Sequence, residues 1–312
     1  MTSKQTIKPI SVARAETDKA KFAKDLGECF ARYGFAVISD HGIPPSAIAD
    51  TFDRTRRFFA LPRDTKARYI VPNGGGQRGY TAFGIETAKG ATRPDLKEFW
   101  HVGRNLPPGA TDSTMPPNLT VTEIPDFNTV TYRLFETLDD LGLRILRGIA
   151  IYLQLPEDFF ENKVAGGNSI LRLLHYPPVP AGAVGVRAGA HEDINVITLL
   201  LGAEEAGLQL LDRDGSWLDV DPPPGCVVVN IGDMLQRLTN HVLPSTTHRV
   251  INPTPDRATF SRYSMPFFQH FRSEYLIETL PSCITAANPN RYPVPITADD
   301  YLQERLAEIK LT

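Results

Sequence analysis

The chain has 312 residues, 42% hydrophobic and 22% charged, with 33 Lys and Arg against 36 Asp and Glu. That composition is ordinary for a globular protein, and a net charge of −3 argues against a general nucleic-acid binder. No apolar run approaches the roughly 20 residues that span a bilayer, and the first residues carry no apolar signal region.

Length alone suggests about two domains. A β-barrel with helical supports uses the same length as one unit, and that is the preferred reading. Residues 1–125 form an N-terminal region, 126–165 a bracing helix, 166–275 a β-rich core and 276–312 a C-terminal extension with a helix. The three cysteines, Cys29, Cys226 and Cys283, are odd in number and far apart. They read as reduced thiols of a cytoplasmic protein.

Residues 1–70 read as mostly helical. Phe22, Leu26, Cys29, Phe30 and Tyr33 recur at helical spacing, and Gly34 is a natural stop. Phe35–Ser39 reads as a strand, and a second helix follows with Ile48, Phe52 and Phe59 on one face. The aromatic stripe belongs to a core, and His41 at the strand end is read as structural. Asn73–Tyr80 is glycine-rich, but no Lys-Ser/Thr follows it, so a phosphate loop is set aside in favour of a mobile loop at a site entrance. Asp95–Val102 alternates in part and reads as a strand; His101 on it is structural first, with substrate contact as the alternative. Residues 106–125 read as a proline-rich connection. A long helix from about Asn128 to Leu153 buries Phe135, Leu138, Ile145, Ile149 and Leu153.

From about Ser169 the sequence turns β-rich, and its short strands, Gly-Asp turns and Pro breaks fit a jelly roll. Asp212–Gly215 reads as a hairpin turn, and Asn230 and Asp233 as turn and cap residues. A last helix is expected near Ala298–Ile309, with Thr297 as its cap.

The chemistry centres on His191-Glu192-Asp193, which opens the apolar run Ile194–Leu201. On one strand, positions i and i+2 share a face, so His191 and Asp193 reach one ion while Glu192 points away. Two imidazoles and a carboxylate on one side of an ion leave other positions open, as in the facial triad of non-haem Fe(II) oxygenases. The third ligand comes from a distant strand. His248, separated from Asp193 by 54 residues and set in a Thr-Thr-His-Arg-Val-Ile stretch, is preferred to His241, whose surroundings read as a turn. Arg262 and Ser264 are again an i, i+2 pair, and an Arg fork with a hydroxyl suits a carboxylate. His175 and His270 are read as structural or pocket-lining.

The ordered set His191-x-Asp193, His248, Arg262-x-Ser264 resembles the isopenicillin N synthase-like family of 2-oxoglutarate/Fe(II)-dependent dioxygenases. So do Phe30–Pro44, Arg172–Pro177, Gly207–Leu210 and Asn230–Asp233 with Thr239-Asn240, so the likeness covers nearly the whole chain. The resemblance implies a double-stranded β-helix (a cupin-like jelly roll) of mixed α and β, braced by N-terminal and long central helices. It implies Fe(II) on His191, Asp193 and His248, with 2-oxoglutarate and O2 as co-substrates. The far carboxylate of 2-oxoglutarate would meet Arg262 and Ser264. Tyr176 stands where the family's Tyr donates to that carboxylate, a structural Tyr being the alternative. Arg78 and Tyr80 match a segment beside the substrate pocket, and His101 a strand that lines it, although a surface loop with a buried Tyr is an equal reading of the first two. The implied reaction is hydroxylation, desaturation or cyclisation of a small organic substrate, with release of succinate and CO2. Alternatives are an ethylene- and succinate-forming oxygenase, an isopenicillin N synthase- or aminocyclopropane carboxylate oxidase-like enzyme without 2-oxoglutarate, and a non-catalytic metal-binding jelly roll. The partner is a small molecule rather than a nucleic acid or membrane; oligomeric state and prime substrate stay open.

Overall fold

The computed structural model describes residues 7–72, 74, 76–86, 94–106, 115–178, 186–202, 207–254 and 258–308. Asn73 and Gly75 of the glycine-rich stretch, and residues 107–114 of the expected connection, lie outside them. The chain begins with β1 (Pro9–Ser11), α1 (Arg14–Thr17), α2 (Lys19–Tyr33), β2 (Phe35–Ser39), α3 (Pro45–Phe59) and α4 (Arg63–Ala67). β3 (Gly79–Thr81), β4 (Glu98–Gly103), the long α5 (Phe127–Tyr152) and the single turn α6 (Glu161–Val164) follow. The β-rich part runs β5 (Ile170–Tyr176), β6 (Ala188–His191), β7 (Ile197–Leu201), β8 (Leu208–Leu211), β9 (Trp217–Asp219) and β10 (Val227–Ile231). After α7 (Asp233–Leu238) come β11 (His248–Val250), β12 (Arg262–Gln269), the short pair β13 (Leu276–Ile277) and β14 (Ile296–Thr297), and α8 (Ala298–Glu308).

Two sheets make the jelly roll. The larger has the order β1-β2-β10-β7-β12-β5-β4-β3, and the smaller β6-β11-β8-β9. Strand parity sorts the large sheet's side chains. On β12, Met265 and Phe267 face the helices and pack with Phe135 and Leu138 of α5. Arg262, Ser264 and Phe268 face the interior, as the period of two requires. Between the sheets lies a smaller apolar cluster of Phe35, Ala188, Leu208, Leu210, Val228 and Val250.

The local signals act as their chemistry dictates. Asp18 accepts from the Lys21 amide to start α2, and Gly34 at φ 67° ends it. A Cβ at Gly34 would stand 2.1 Å from Thr246 Oγ1, so glycine is required there for space as well as for its dihedral. Thr297 accepts from the Asp300 amide at 3.1 Å, the cap expected for α8. The apolar face of α3 differs from expectation. Thr51, Thr55, Phe58 and Phe59 are buried, whereas Ile48 and Phe52 are only partly so. The cause is Phe58, whose ring lies 4.8 Å from Trp100 and 5.5 Å from Phe127 and turns the helix toward that aromatic group.

Candidate metal centre and adjoining cavities

His191 ends β6 and His248 begins β11, and the two residues are paired across that antiparallel ladder. Opposed residues project from one face, so both rings point inward, with centroids 4.4 Å apart. Asp193 does not share their strand. The expected run from His191 into Leu201 breaks because the chain changes sheets there: β6 belongs to the small sheet and β7 to the large one. The crossover is held by backbone bonds from Asp233 N to Asp193 O and from Met234 N to Asn195 O. Asp193 nevertheless meets the histidines. One ligand atom from each of the three residues lies within 4.8 Å of the other two. Asp193 Oδ1 is 3.7 Å from His191 Nε2 and 3.9 Å from His248 Nε2.

Backbone carbonyls prepare both rings. His191 Nδ1 donates to Gly189 O at 2.7 Å, and His248 Nδ1 to Thr246 O at 3.1 Å. A carbonyl only accepts, so each Nδ1 carries the proton and each Nε2 presents its lone pair to the centre. Asp193 Oδ2 accepts from Thr198 Oγ1 at 2.5 Å and Asn230 Nδ2 at 2.8 Å, which leaves Oδ1 toward the histidines. Burial pushes the Asp193 carboxyl up, but His248, His191 and these two donors outweigh it and hold it below its usual range. Burial, then the neighbouring His248, lowers His191 and favours its neutral, ligating form. The donor set is that of a facial triad for one divalent cation, and the residues fit ferrous iron. Asn230, expected as a turn residue, instead sits in β10 and steadies the carboxylate. His241 lies elsewhere, bonded to Tyr292 Oη at 2.7 Å.

Two cavities meet at the triad, and His191 and Asp193 line both. The smaller, about 70 Å³, is lined by Tyr176, Arg262, Ser264 and His248 among others. Arg262 is 2% exposed. Its Nη1 reaches Ser264 Oγ at 3.4 Å, its Nε has no partner, and no carboxylate pairs with it among the described residues. Tyr176 is its opposite number across β5 and β12, with the guanidinium 5.1 Å from the ring centre. A buried cation without an anion is costly, and a ligand carboxylate removes that cost. The far carboxylate of 2-oxoglutarate fits.

The larger cavity, about 250 Å³, is lined by charged groups that the sequence did not single out, among them Glu86, Asp95, Lys97 and Arg172. Lys97 Nζ lies 2.7 Å from Glu86 and 2.9 Å from Asp95, and Arg172 Nη1 lies 3.3 Å from Glu86. Burial pushes Glu86 up, but Arg172 and Lys97 overcome it and keep it ionised. His101 lines this cavity as well. Its Nε2 accepts from Arg172 Nε at 2.6 Å and its Nδ1 donates to Gly76 O at 2.5 Å. Burial and the Arg172 charge hold it neutral, well below its usual value. Arg78 and Tyr80 are not among the residues lining either cavity. Arg78, just before β3, is buried against Gly103 and bonded to Asn168 Oδ1, and Tyr80 on β3 donates to Glu98, so both side chains turn toward the protein rather than the site. Leu302, Arg305 and Leu306 of α8 also line the larger cavity, so the C-terminal helix forms part of its wall.

Strand parity was a usable signal for some of these residues. Arg172 lies four positions before Tyr176 on β5, and Phe268 four beyond Ser264 on β12, so each shares the face of a residue already chosen. Nothing comparable in the sequence marks Glu86 or the residues of α8.

A jelly roll with two histidines and a carboxylate beside a buried arginine has the architecture of a non-haem iron oxygenase. Residues 7–123 match the model of the non-haem dioxygenase N-terminal region, described for morphine synthesis, and residues 167–271 that of the 2OG-Fe(II) oxygenase superfamily. The chain is 36% identical to the 2-oxoglutarate-dependent dioxygenase htyE of Aspergillus rugulosus, over 91% of this chain and 92% of that protein. A crystal structure of a 2OG-Fe(II) oxygenase family protein from Caulobacter crescentus superposes with a TM-score of 0.91 at 56% identity, over 97% of this chain and 99% of that one. A full-length Neurospora crassa protein, crystallised in complex with alpha-KG and thymine, gives 0.85 at 30% identity over 98% of each chain. The chain belongs to the 2OG-Fe(II) oxygenase superfamily, and it is a 2-oxoglutarate- and Fe(II)-dependent dioxygenase.

Proposed function

We propose that His191 Nε2, Asp193 Oδ1 and His248 Nε2 hold the ferrous ion, and that Arg262, Ser264 and Tyr176 hold the far carboxylate of 2-oxoglutarate. The prime substrate, a small organic molecule, occupies the larger cavity. When bound, iron and 2-oxoglutarate supply an O2-dependent oxidation that releases succinate and CO2 and hydroxylates, desaturates or cyclises the substrate. The chain's own part is positional. Gly189 O and Thr246 O fix the tautomers of the two histidines. Thr198 and Asn230 aim the carboxylate. Arg262 neutralises the co-substrate in the smaller cavity, and the apolar side chains Leu174, Leu200 and Val250 exclude water around it. The observation that carries the reading is a converging Nε2, Nε2, Oδ1 set beside a buried guanidinium that has no anion among the described residues.

The division into an N-terminal region (1–125), a bracing helix (126–165), a jelly-roll core (166–275) and a C-terminal extension (276–312) is part of this proposal. So is a cytoplasmic location, which the three free cysteines support. Among the described residues, no helix is long and apolar enough to cross a membrane. Anaerobic titration of the Fe(II)-loaded protein with 2-oxoglutarate tests the assignment. A visible charge-transfer band that saturates with co-substrate is expected, and its absence, with no protection against unfolding, would overturn it.

A further inference from the structure

Four of the charged groups lining the larger cavity form one connected set. Glu86 and Asp95 share Lys97, and Arg172 completes the set through Glu86, so two carboxylates stand against two cations. The set is anchored to the metal strand, because Asp95 Oδ1 accepts from Gly189 N at 3.0 Å and Gly189 O in turn holds His191. Arg172 is also fixed in orientation. Its guanidinium lies 4.2 Å from the Phe99 ring centre and 5.2 Å from that of Phe268, while its Nε–H donates to His101 Nε2. Its Nη2 has no hydrogen-bond partner among the described residues, and Arg172 lines the cavity. His270 is a second polar group there. It is 7% exposed, lines the cavity, and neither ring nitrogen has a partner among the described residues.

We propose that Arg172 and His270 select an uncharged substrate that offers a carbonyl-type acceptor to Arg172 Nη2 and a further polar group to His270. The inference rests on the functional reading above and adds the substrate class. A carbonyl oxygen satisfies the idle N–H at no cost in charge. A carboxylate would place a third anion beside Glu86 and Asp95, against cations they already occupy, and buried charge in excess of its partners is unfavourable. A cationic substrate would meet Arg172 itself. The neutral imidazole of His270 has one donor and one acceptor, so it complements either an N–H or a carbonyl. Phe268, Ile170 and Ile194 supply apolar surface between these polar points. His101 is a positioning residue that acts through Arg172.

The test uses the full chain loaded with Fe(II) and 2-oxoglutarate. Size-matched pairs are compared, cyclic amides and imides against the corresponding carboxylic and amino acids. Ligand-induced thermal shift and substrate-stimulated succinate release are both read. Neutral carbonyl compounds are expected to act at concentrations at least tenfold lower than their acid partners. Arg172→Lys keeps the cation beside Glu86 and removes the fork. It should raise KM for the best neutral compound at least tenfold, retain the charge-transfer band of bound 2-oxoglutarate, and melt close to the wild type. His270→Phe should weaken the same compound and leave the preference for neutral ligands. Preference for acids, equal response to both classes, no response to any neutral compound, or an unchanged KM in Arg172→Lys would overturn the inference. Loss of the charge-transfer band in the wild type would instead count against the assignment of iron and co-substrate.

Discussion

Replacing Arg262 by Met should have opposite effects on the free and the liganded protein. In the free protein the guanidinium is buried, and among the described residues its only side-chain bond is 3.4 Å long and its Nε has no partner. Exchanging an uncompensated buried cation for an apolar side chain of similar length should leave stability unchanged or raise it by about 1–4 kcal/mol. In the complex, the same change strips a buried charge-assisted pair, which costs about 2–5 kcal/mol. That is a loss in 2-oxoglutarate affinity from about 30-fold to several thousandfold. Urea unfolding with and without 2-oxoglutarate, under anaerobic Fe(II), separates the two. Wild type at one hundred times its Kd gains about 2.7 kcal/mol from the ligand, and the variant at the same concentration should gain less than about 1 kcal/mol. A variant that loses several kcal/mol in the free state and binds 2-oxoglutarate as before would make Arg262 a packing residue and refute the carboxylate assignment.

Three further outcomes are expected. Asn230→Leu removes a donor from Asp193 Oδ2, and should lower Fe(II) affinity about 10–100-fold in a chelator competition; undiminished affinity would mean that Thr198 alone orients the carboxylate. Lys97→Met leaves Glu86 and Asp95 without their shared cation, and should destabilise the fold by about 3–5 kcal/mol in urea, part of which Glu86→Gln in the same chain restores. Burial holds His270 down to about 4 from 6.5, so between those values the unfolded chain binds a proton that the folded chain refuses. Stability should therefore fall as pH drops through that window, by at most about 3 kcal/mol from this group. His270→Phe should flatten the slope by that amount, and identical slopes would show that the ring is protonated in the folded protein.

Much of the site was written in short-range pattern. The His191-x-Asp193 spacing, the strand character around His248 and the Arg262-x-Ser264 pair each identify residues that the fold brings together. The long helix α5 and the glycine stop of α2 were equally legible, because helical periodicity and a left-handed cap are local properties. Less visible was the break between His191 and Asp193. An apolar run of strand type cannot report that the chain leaves one sheet for another within it, since either path satisfies the local preferences.

By itself the sequence determined which side chains could ligate iron and anchor a carboxylate, because donor chemistry is a property of the chain; a period of two placed Arg262 and Ser264 on one face but does not describe His191 and Asp193. Tertiary structure alone decided that Gly189 O and Thr246 O set the histidine tautomers, that Asn230 serves Asp193, and that Arg78 and Tyr80 turn away from the site. It also decided the charge balance of the larger cavity. Glu86 meets Arg172 across 86 positions, and Asp95 meets Gly189 across 94. No local preference encodes such a pairing: a buried charge is stable only beside its partner, and the partner is supplied by the packing of strands remote in sequence.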